Sequence, residues 1–208
     1  MGGQAPVSAL LMKMTDDLAR TILLVGFAIF VPVGIYYRLR SRTDEKLDRR
    51  QEGWPILLGL RLLAFFYIAG LMVFLVKPSA MAWASFRLPD WLRWSGVGLV
   101  AAAGGLALWT FRTLGHNLTD TVVTRRDATL VINGPYHWVR HPFYSAFATG
   151  VIANTLVTAN AYLAVIGIAT LLVIIGRTSI EERKLVERFG PSYVDYTRRT
   201  GRFFPRVR

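Results

Sequence analysis

Two short polar stretches in the C-terminal half of the chain hold most of the side chains whose types suit chemistry. The first runs from Leu114 to Tyr144 and includes Thr129-Leu130-Val131, the turn Asn133-Gly134-Pro135-Tyr136, and Arg140-His141-Pro142-Phe143-Tyr144. Asn-Gly-Pro is a turn signal, and Pro142 keeps His141 from continuing a helix, so backbone N–H and C=O groups are left exposed here. Such groups need water, a protein neighbour or a bound polar molecule. The second stretch is Gly176-Arg177-Thr178-Ser179-Ile180-Glu181-Glu182-Arg183-Lys184-Leu185, ending at Phe189-Gly190-Pro191. Arg177 and Glu181 are four apart and share a helical face, with Glu182 about 100° further round. That puts a site for anions beside a site for cations. The spacing also suits an interfacial helix stapled by i,i+4 ion pairs, each contributing a few tenths of a kcal/mol.

His137 and His141 are four apart as well, but Pro135 and Pro142 bracket them and no third ligand lies nearby in sequence. A catalytic zinc site needs three protein ligands, so no metal is expected. His116 suits a headgroup contact better than coordination. The chain has no cysteine, which removes disulfides, thiolate metal sites and thiol nucleophiles together.

The elements that must carry these residues are membrane helices. Of the 208 residues, 53 % are hydrophobic, and mean hydropathy is positive. A crossing takes about 20 apolar residues, because each adds about 1.5 Å against a hydrocarbon layer about 30 Å thick. Leu18–Leu39, Trp54–Val76 and Trp91–Phe111 qualify. Phe143–Ile175 is too long for one crossing and breaks at Thr158-Ala159-Asn160, which predicts a tight helical hairpin. The expected fold class is an all-α, polytopic transmembrane bundle of about five crossings, forming a single domain over 1–208. Pro32 is expected to kink the first span. Gly104 and Gly105 are expected to allow close helix approach, and Arg61 to reach back to the surface.

A net charge of +12 invites a nucleic-acid reading, but the basic residues fall between apolar runs, where they orient a membrane protein and meet anionic headgroups. No nucleic-acid partner is expected; membrane lipids are. The segments 38–53, 112–140 and 177–208 hold most of the positive charge, whereas 77–90 holds only Lys77 and Arg87. About five crossings put the rich segments on one side, which predicts an outside N-terminus and a cytoplasmic C-terminus. Met1–Met14 lacks the pattern of a cleavable signal, so the first apolar run is expected to stay as a helix.

Taken in order, Gly134-x-Tyr136, Arg140-His141-Pro142-x-Tyr144, Glu181-Glu182, Phe189-Gly190 with Tyr193 and Tyr196, and Phe203-Phe204-Pro205 resemble the isoprenylcysteine carboxyl methyltransferase and phospholipid methyltransferase superfamily. The resemblance sets a variable N-terminal part, 1–90, against a catalytic core, 91–208. It implies an integral membrane enzyme that uses S-adenosyl-L-methionine without a Rossmann domain, in keeping with the lack of a G-x-G-x-x-G turn after a strand pattern. By position it implies a cofactor pocket lined by Thr129, Leu130, Val131, Tyr136, His141, Pro142, Phe143, Tyr144 and Glu181. Arg177 would face the acceptor. Glu182 or a tyrosine would serve as general base were the acceptor an amine. The implied acceptor is lipid-soluble or prenylated, with an isoprenylcysteine-type carboxylate favoured by Arg177 and a phospholipid headgroup amine as the alternative. An NADPH-dependent membrane reductase and a non-catalytic lipid-binding module are the other readings. The chain departs from the family pattern at Ala146, where the family has glycine, and in an acidic run of only two residues.

Overall fold

The computed structural model describes residues 15–41, 54–115 and 129–206. These form six α-helices: α1 (Asp16–Arg40), α2 (Trp54–Val76), α3 (Asp90–Leu114), α4 (Pro142–Thr158), α5 (Ala161–Phe189) and α6 (Pro191–Arg199). Short 3₁₀ turns lie at Pro78–Ala84 and Gly134–His137, and no strand occurs among the described residues. His116 and the parts of the basic segments within 42–53 and 116–128 lie outside the described residues.

Helices α1, α2, α3 and α5 are long and apolar enough to cross a membrane. α4, with 17 residues, extends about 25 Å and returns antiparallel to α5. The chain is thus an integral, multi-pass helical protein of about five crossings. Large side chains such as Phe65, Val165 and Leu172 remain more than half exposed along the helix flanks, as expected where the solvent is lipid.

The hairpin forms where the sequence breaks. α4 stops at Thr158 because Ala159 turns left-handed, with φ of 47°, and Asn160 caps α5 by accepting from the Leu163 N–H through its side chain. The Asn160 amide also donates to the Met81 carbonyl at 3.0 Å, and the Phe86 N–H donates to the Ala159 carbonyl at 2.9 Å. The corner is therefore tied to the loop between α2 and α3.

Arg93, in the first turn of α3, completes this end of the bundle. Its Nε and Nη2 donate to the Val157 carbonyl at 3.1 and 2.8 Å, and Nη2 pairs with Asp16 of α1 at 3.0 Å. Val157 is in the last turn of α4, whose carbonyls have no partner within the helix, so the guanidinium supplies a missing donor. The buried apolar cluster lies at this same end: Ala19, Leu23, Leu71, Phe74, Leu75, Met81, Val157 and Leu163.

Small residues set the helix spacing. α3 and α4 share the most extensive contact. At Gly96 an added Cβ would come within 2.8 Å of the Leu156 side chain and 3.1 Å of the Ala153 carbonyl. Gly104 leaves room for the Phe30 ring of α1, whereas Gly105 faces open space, so only the first of that pair does the work expected of both. α1 continues as one helix through Pro32. Arg61 is exposed on α2.

Candidate functional site

At the end of the bundle opposite the hairpin, the turn before α4 meets the polar continuation of α5. The apolar part of α5 finishes near Ile175, and the helix runs on to Phe189 carrying Arg177, Glu181 and Glu182 beyond it. Gly190, at φ of 57°, then reverses the chain into α6, which lies back over this end with Tyr193 and Tyr196 buried. Gly134 takes a φ of 56° at the start of its 3₁₀ turn and approaches the Thr113 side chain of α3, where a Cβ would not fit.

The tail after α6 closes the arrangement. Arg140 N–H donates to the Gly201 carbonyl at 2.9 Å, His141 N–H to the Arg202 carbonyl at 3.1 Å, and Gly201 N–H to the Trp138 carbonyl at 3.3 Å. Val139 and Gly201 thereby form a short parallel bridge. Ser145 reinforces it by donating to the Phe203 carbonyl at 2.7 Å, and Tyr196 donates to the Tyr136 carbonyl at 2.6 Å. Much of the backbone that Pro135 and Pro142 keep irregular is therefore satisfied by the tail.

Glu182 is the centre of a charged clasp. Its Oε1 accepts from Arg140 Nε at 2.9 Å and lies 3.2 Å from His141 Nε2, while its Oε2 pairs with Arg202 Nη2 at 2.5 Å. Arg140 also reaches the Thr197 and Thr200 carbonyls at 3.2 and 2.5 Å. Burial opposes the charge on Glu182, but the hydrogen bonds from His141, Arg202 and Arg140 outweigh it and hold the carboxyl well below the usual carboxylate range.

Glu181, one residue earlier, is placed differently. Its Oε2 accepts from the Tyr144 hydroxyl at 2.8 Å, and its Oε1 lies 3.8 Å from His141 Nδ1, beyond hydrogen-bond range. The side chain keeps a quarter of its surface exposed. Arg177, one turn back, donates weakly to the same Tyr144 oxygen at 3.4 Å. The result is a linked set, Arg177 to Tyr144 to Glu181, with the His141 ring stacked on Tyr144 at 5.5 Å and standing between the two acids. Burial, then the charge of Glu181, pushes the Tyr136 phenol above its ordinary range. Burial likewise raises Tyr193, and pushes Tyr196 up to about 12. All three stay protonated at neutral pH and act as donors or neutral surfaces.

Of the residues singled out from sequence, Tyr136, His141, Tyr144, Arg177, Glu181 and Glu182 come together here. Pro142 is buried at the start of α4, and Phe143 turns its ring towards Phe111 of α3 at 5.5 Å. Thr129, Leu130 and Val131 precede the turn in irregular backbone; the contacts that join the turn to α5 and α6 are made by Tyr136, Arg140, His141 and Tyr144. Ala146 is buried in α4 beneath the turn. Sequence reasoning did not single out Arg140, Arg202 or the carbonyls of Thr197 and Thr200 as partners of Glu182. The one available signal was the cluster Thr200-Gly201-Arg202-Phe203, in which a basic residue follows a glycine. Among the described residues, no group of three or more His, Asp or Glu side chains is arranged to hold a metal.

Comparison with known proteins covers the segment that carries these residues. Residues 96–187 match the model of the isoprenylcysteine carboxyl methyltransferase (ICMT) family. The protein-S-isoprenylcysteine O-methyltransferase of Saccharomyces cerevisiae is 35 % identical over 92 residues, covering 43 % of this chain and 38 % of that protein. The cobalt-zinc-cadmium resistance protein CzcN of Cupriavidus metallidurans is 37 % identical over 84 residues, covering 40 % of this chain and 38 % of that protein. The mouse protein-S-isoprenylcysteine O-methyltransferase is 28 % identical over 129 residues, covering 61 % of this chain and 46 % of its own length. The chain thus spans less than half the length of the curated relatives it matches. The solved structure of a eukaryotic intramembrane Ras methyltransferase ICMT superposes with a TM-score of 0.55 at 19 % identity, covering 88 % of this chain and 62 % of that one, which shows a shared fold. The C-terminal half of this chain is thus similar in sequence to the isoprenylcysteine carboxyl methyltransferase family over residues 96–187, and the described helices share the fold of a solved member.

Proposed function

We propose that this protein transfers a methyl group from S-adenosyl-L-methionine to a lipid-soluble acceptor, an isoprenylcysteine-type carboxylate in the first instance. The observation that carries the reading is the unequal treatment of two adjacent acids: Glu182 is saturated by Arg140, His141 and Arg202, while Glu181 keeps an oxygen clear of hydrogen-bond partners. A carboxylate a quarter exposed and ringed by Tyr144, His141 and Tyr136 suits a ligand with an ammonium, ribose hydroxyls and a positive sulfonium. The residues fit the cofactor, and Glu181, Tyr136, Tyr144 and the turn through Phe143 are the groups that would hold it. When bound, that donor supplies a methyl on a sulfonium centre, electrophilic enough to need neither metal nor covalent intermediate.

The protein's share of the work is positioning. Arg177 is oriented by Tyr144 and offers its planar guanidinium to an acceptor carboxylate, which is already nucleophilic and needs no base. Glu182, bound by cations on both oxygens, acts in this reading as the brace for His141 and the turn rather than as a general base. The tail, laid across Trp138–His141, limits water at the turn. The orientation that puts this end in the cytoplasm follows from the excess of Arg and Lys there, and it gives a water-soluble donor access from that side while the acceptor arrives from the bilayer.

Two substitutions separate the roles. Glu181→Ala is expected to abolish binding of S-adenosyl-L-methionine measured by calorimetry on the purified protein, whereas Arg177→Ala keeps binding and loses turnover. The reverse pattern would falsify the assignment. An assay with labelled donor, offered total lipid extract in parallel with a small prenylcysteine analogue, identifies the acceptor class: label in the analogue as a base-labile ester supports the carboxylate, and label in lipid as a base-stable product supports a headgroup amine.

A further inference from the structure

A second polar site lies on the same end of the bundle, away from Glu181. A cavity of about 420 Å³ opens between the last turns of α1 and α3, lined by Tyr37, Arg40, Arg112 and Gly115. Its two arginines differ from the two that clasp Glu182. Arg140 and Arg202 are committed to Glu182, but Arg40 donates to the Tyr36 hydroxyl at 2.9 Å and Arg112 to the Tyr37 hydroxyl at 3.3 Å. A phenol oxygen satisfies one guanidinium N–H and neutralises no charge. Among the described residues the side-chain partners of both arginines are these phenols and not carboxylates. The two helix C-termini supply about half a negative charge each, against two full positive charges. Among the described residues the local charge therefore stays positive, in a concavity of ligand size.

We propose that this cavity binds the phosphate of an anionic phospholipid, held by the Arg40 and Arg112 guanidinium groups with the Tyr37 hydroxyl as a third donor. Tyr37 accepts from Arg112, which leaves its own O–H to donate. Guanidinium forks match two phosphate oxygens at once. The surroundings select a lipid over free phosphate. Ile35, Tyr36 and Leu39 on the same stretch of α1 are each more than half exposed, so an apolar track leads from the arginines along the helix flank for an acyl chain to follow. The site also has a rigid wall, because the Tyr37 ring stacks on Phe111 at 6.1 Å and Phe111 contacts Phe143 at 5.5 Å. None of its phosphate-binding groups is assigned to the methyl-transfer reading, and only the Phe143 ring behind its wall is shared with the turn.

The test is native mass spectrometry of the purified full chain in detergent, titrated separately with phosphatidylglycerol, phosphatidylcholine and inorganic phosphate. The wild-type protein is expected to retain phosphatidylglycerol above the other two, and the double variant R40Q/R112Q to lose about tenfold or more in apparent affinity. Arg198→Gln, on exposed α6, is expected to change nothing. Arg40→Lys and Arg112→Lys singly, which keep charge but lose the fork, are expected to weaken retention a few-fold and serve should the double variant fail to fold. Equal retention by R40Q/R112Q, or by both lysine variants, overturns the proposal. So does an equal loss in Arg198→Gln, which would mean diffuse surface charge, or displacement of the lipid by inorganic phosphate at matched concentration, which would mean a free-anion site. Unchanged S-adenosyl-L-methionine titration of R40Q/R112Q keeps this result separate from the fate of the methyl-transfer reading.

Discussion

The two ends of this bundle are held together by different physics. At the hairpin end, buried apolar side chains from α1, α2, α4 and α5 form the core, and Arg93 there donates to a helix carbonyl and pairs with the Asp16 carboxylate. At the opposite end the junction is polar: Arg140, His141 and Arg202 converge on Glu182, and the tail adds backbone bonds to the turn. An apolar core is indifferent to which atoms it touches, so it secures the bundle without presenting any group to a ligand. A charged clasp fixes orientations, and it does so next to Glu181, whose own valence is not filled. The lesson is a division of labour along the helix axis, with an apolar core at one end and side-chain geometry enforced at the end where the reaction is proposed.

That contrast is open to direct attack. The largest effect is expected from Glu182→Ala, which strands Arg140, Arg202 and half of the His141 contacts together; loss of about 3 kcal/mol is expected, read as a fall in the denaturation midpoint of the purified protein. A change below about 0.5 kcal/mol would mean that the clasp orders nothing. Arg93→Met should cost about 2 kcal/mol by leaving the Val157 carbonyl buried without its donor, while cofactor binding at the far end stays as in wild type. Weakened cofactor binding in that variant would contradict the separation of the two ends. Gly96→Ala forces a methyl into the contact between α3 and α4 and should cost about 1 kcal/mol or more, again without touching ligand affinity.

The smallest effect is a pH dependence. Because the folded protein lowers the Glu182 pKa, its contribution is fully present above the unfolded value, roughly 4.3, and fades as pH falls below that. Between pH 7 and 5 the stability difference between wild type and Glu182→Gln should be flat, and it should shrink from pH 4 downward. A difference that stays constant to pH 3 would show that the carboxylate is not the group at work.

Much of the fold was legible because the membrane imposes a length. Trp54–Val76 was bounded as predicted, and the breaks at Thr158-Ala159-Asn160 and Gly190-Pro191 follow from local chemistry: a left-handed residue, an asparagine cap and a glycine-proline pair. Gly105 was misjudged because periodicity does not say which of two adjacent glycines points at a neighbour. The site was legible as a set of residue types. Its wiring was not, since Arg140 reaches Glu182 across 42 residues and Ser145 reaches Phe203 across 58. Contacts of that separation leave no period in the sequence. That one acid of an adjacent pair is saturated and the other is not depends on them alone.

The length of α5 has a consequence of its own. Six residues separate the end of its apolar part at Ile175 from Glu181, which raises the acid about 9 Å along the axis. Glu181 is therefore held beyond the apolar span, at a distance fixed by one continuous helix anchored at the far corner. In the proposed reaction the donor comes from solution and the acceptor from the bilayer, so bilayer thickness would become a variable in whether they meet.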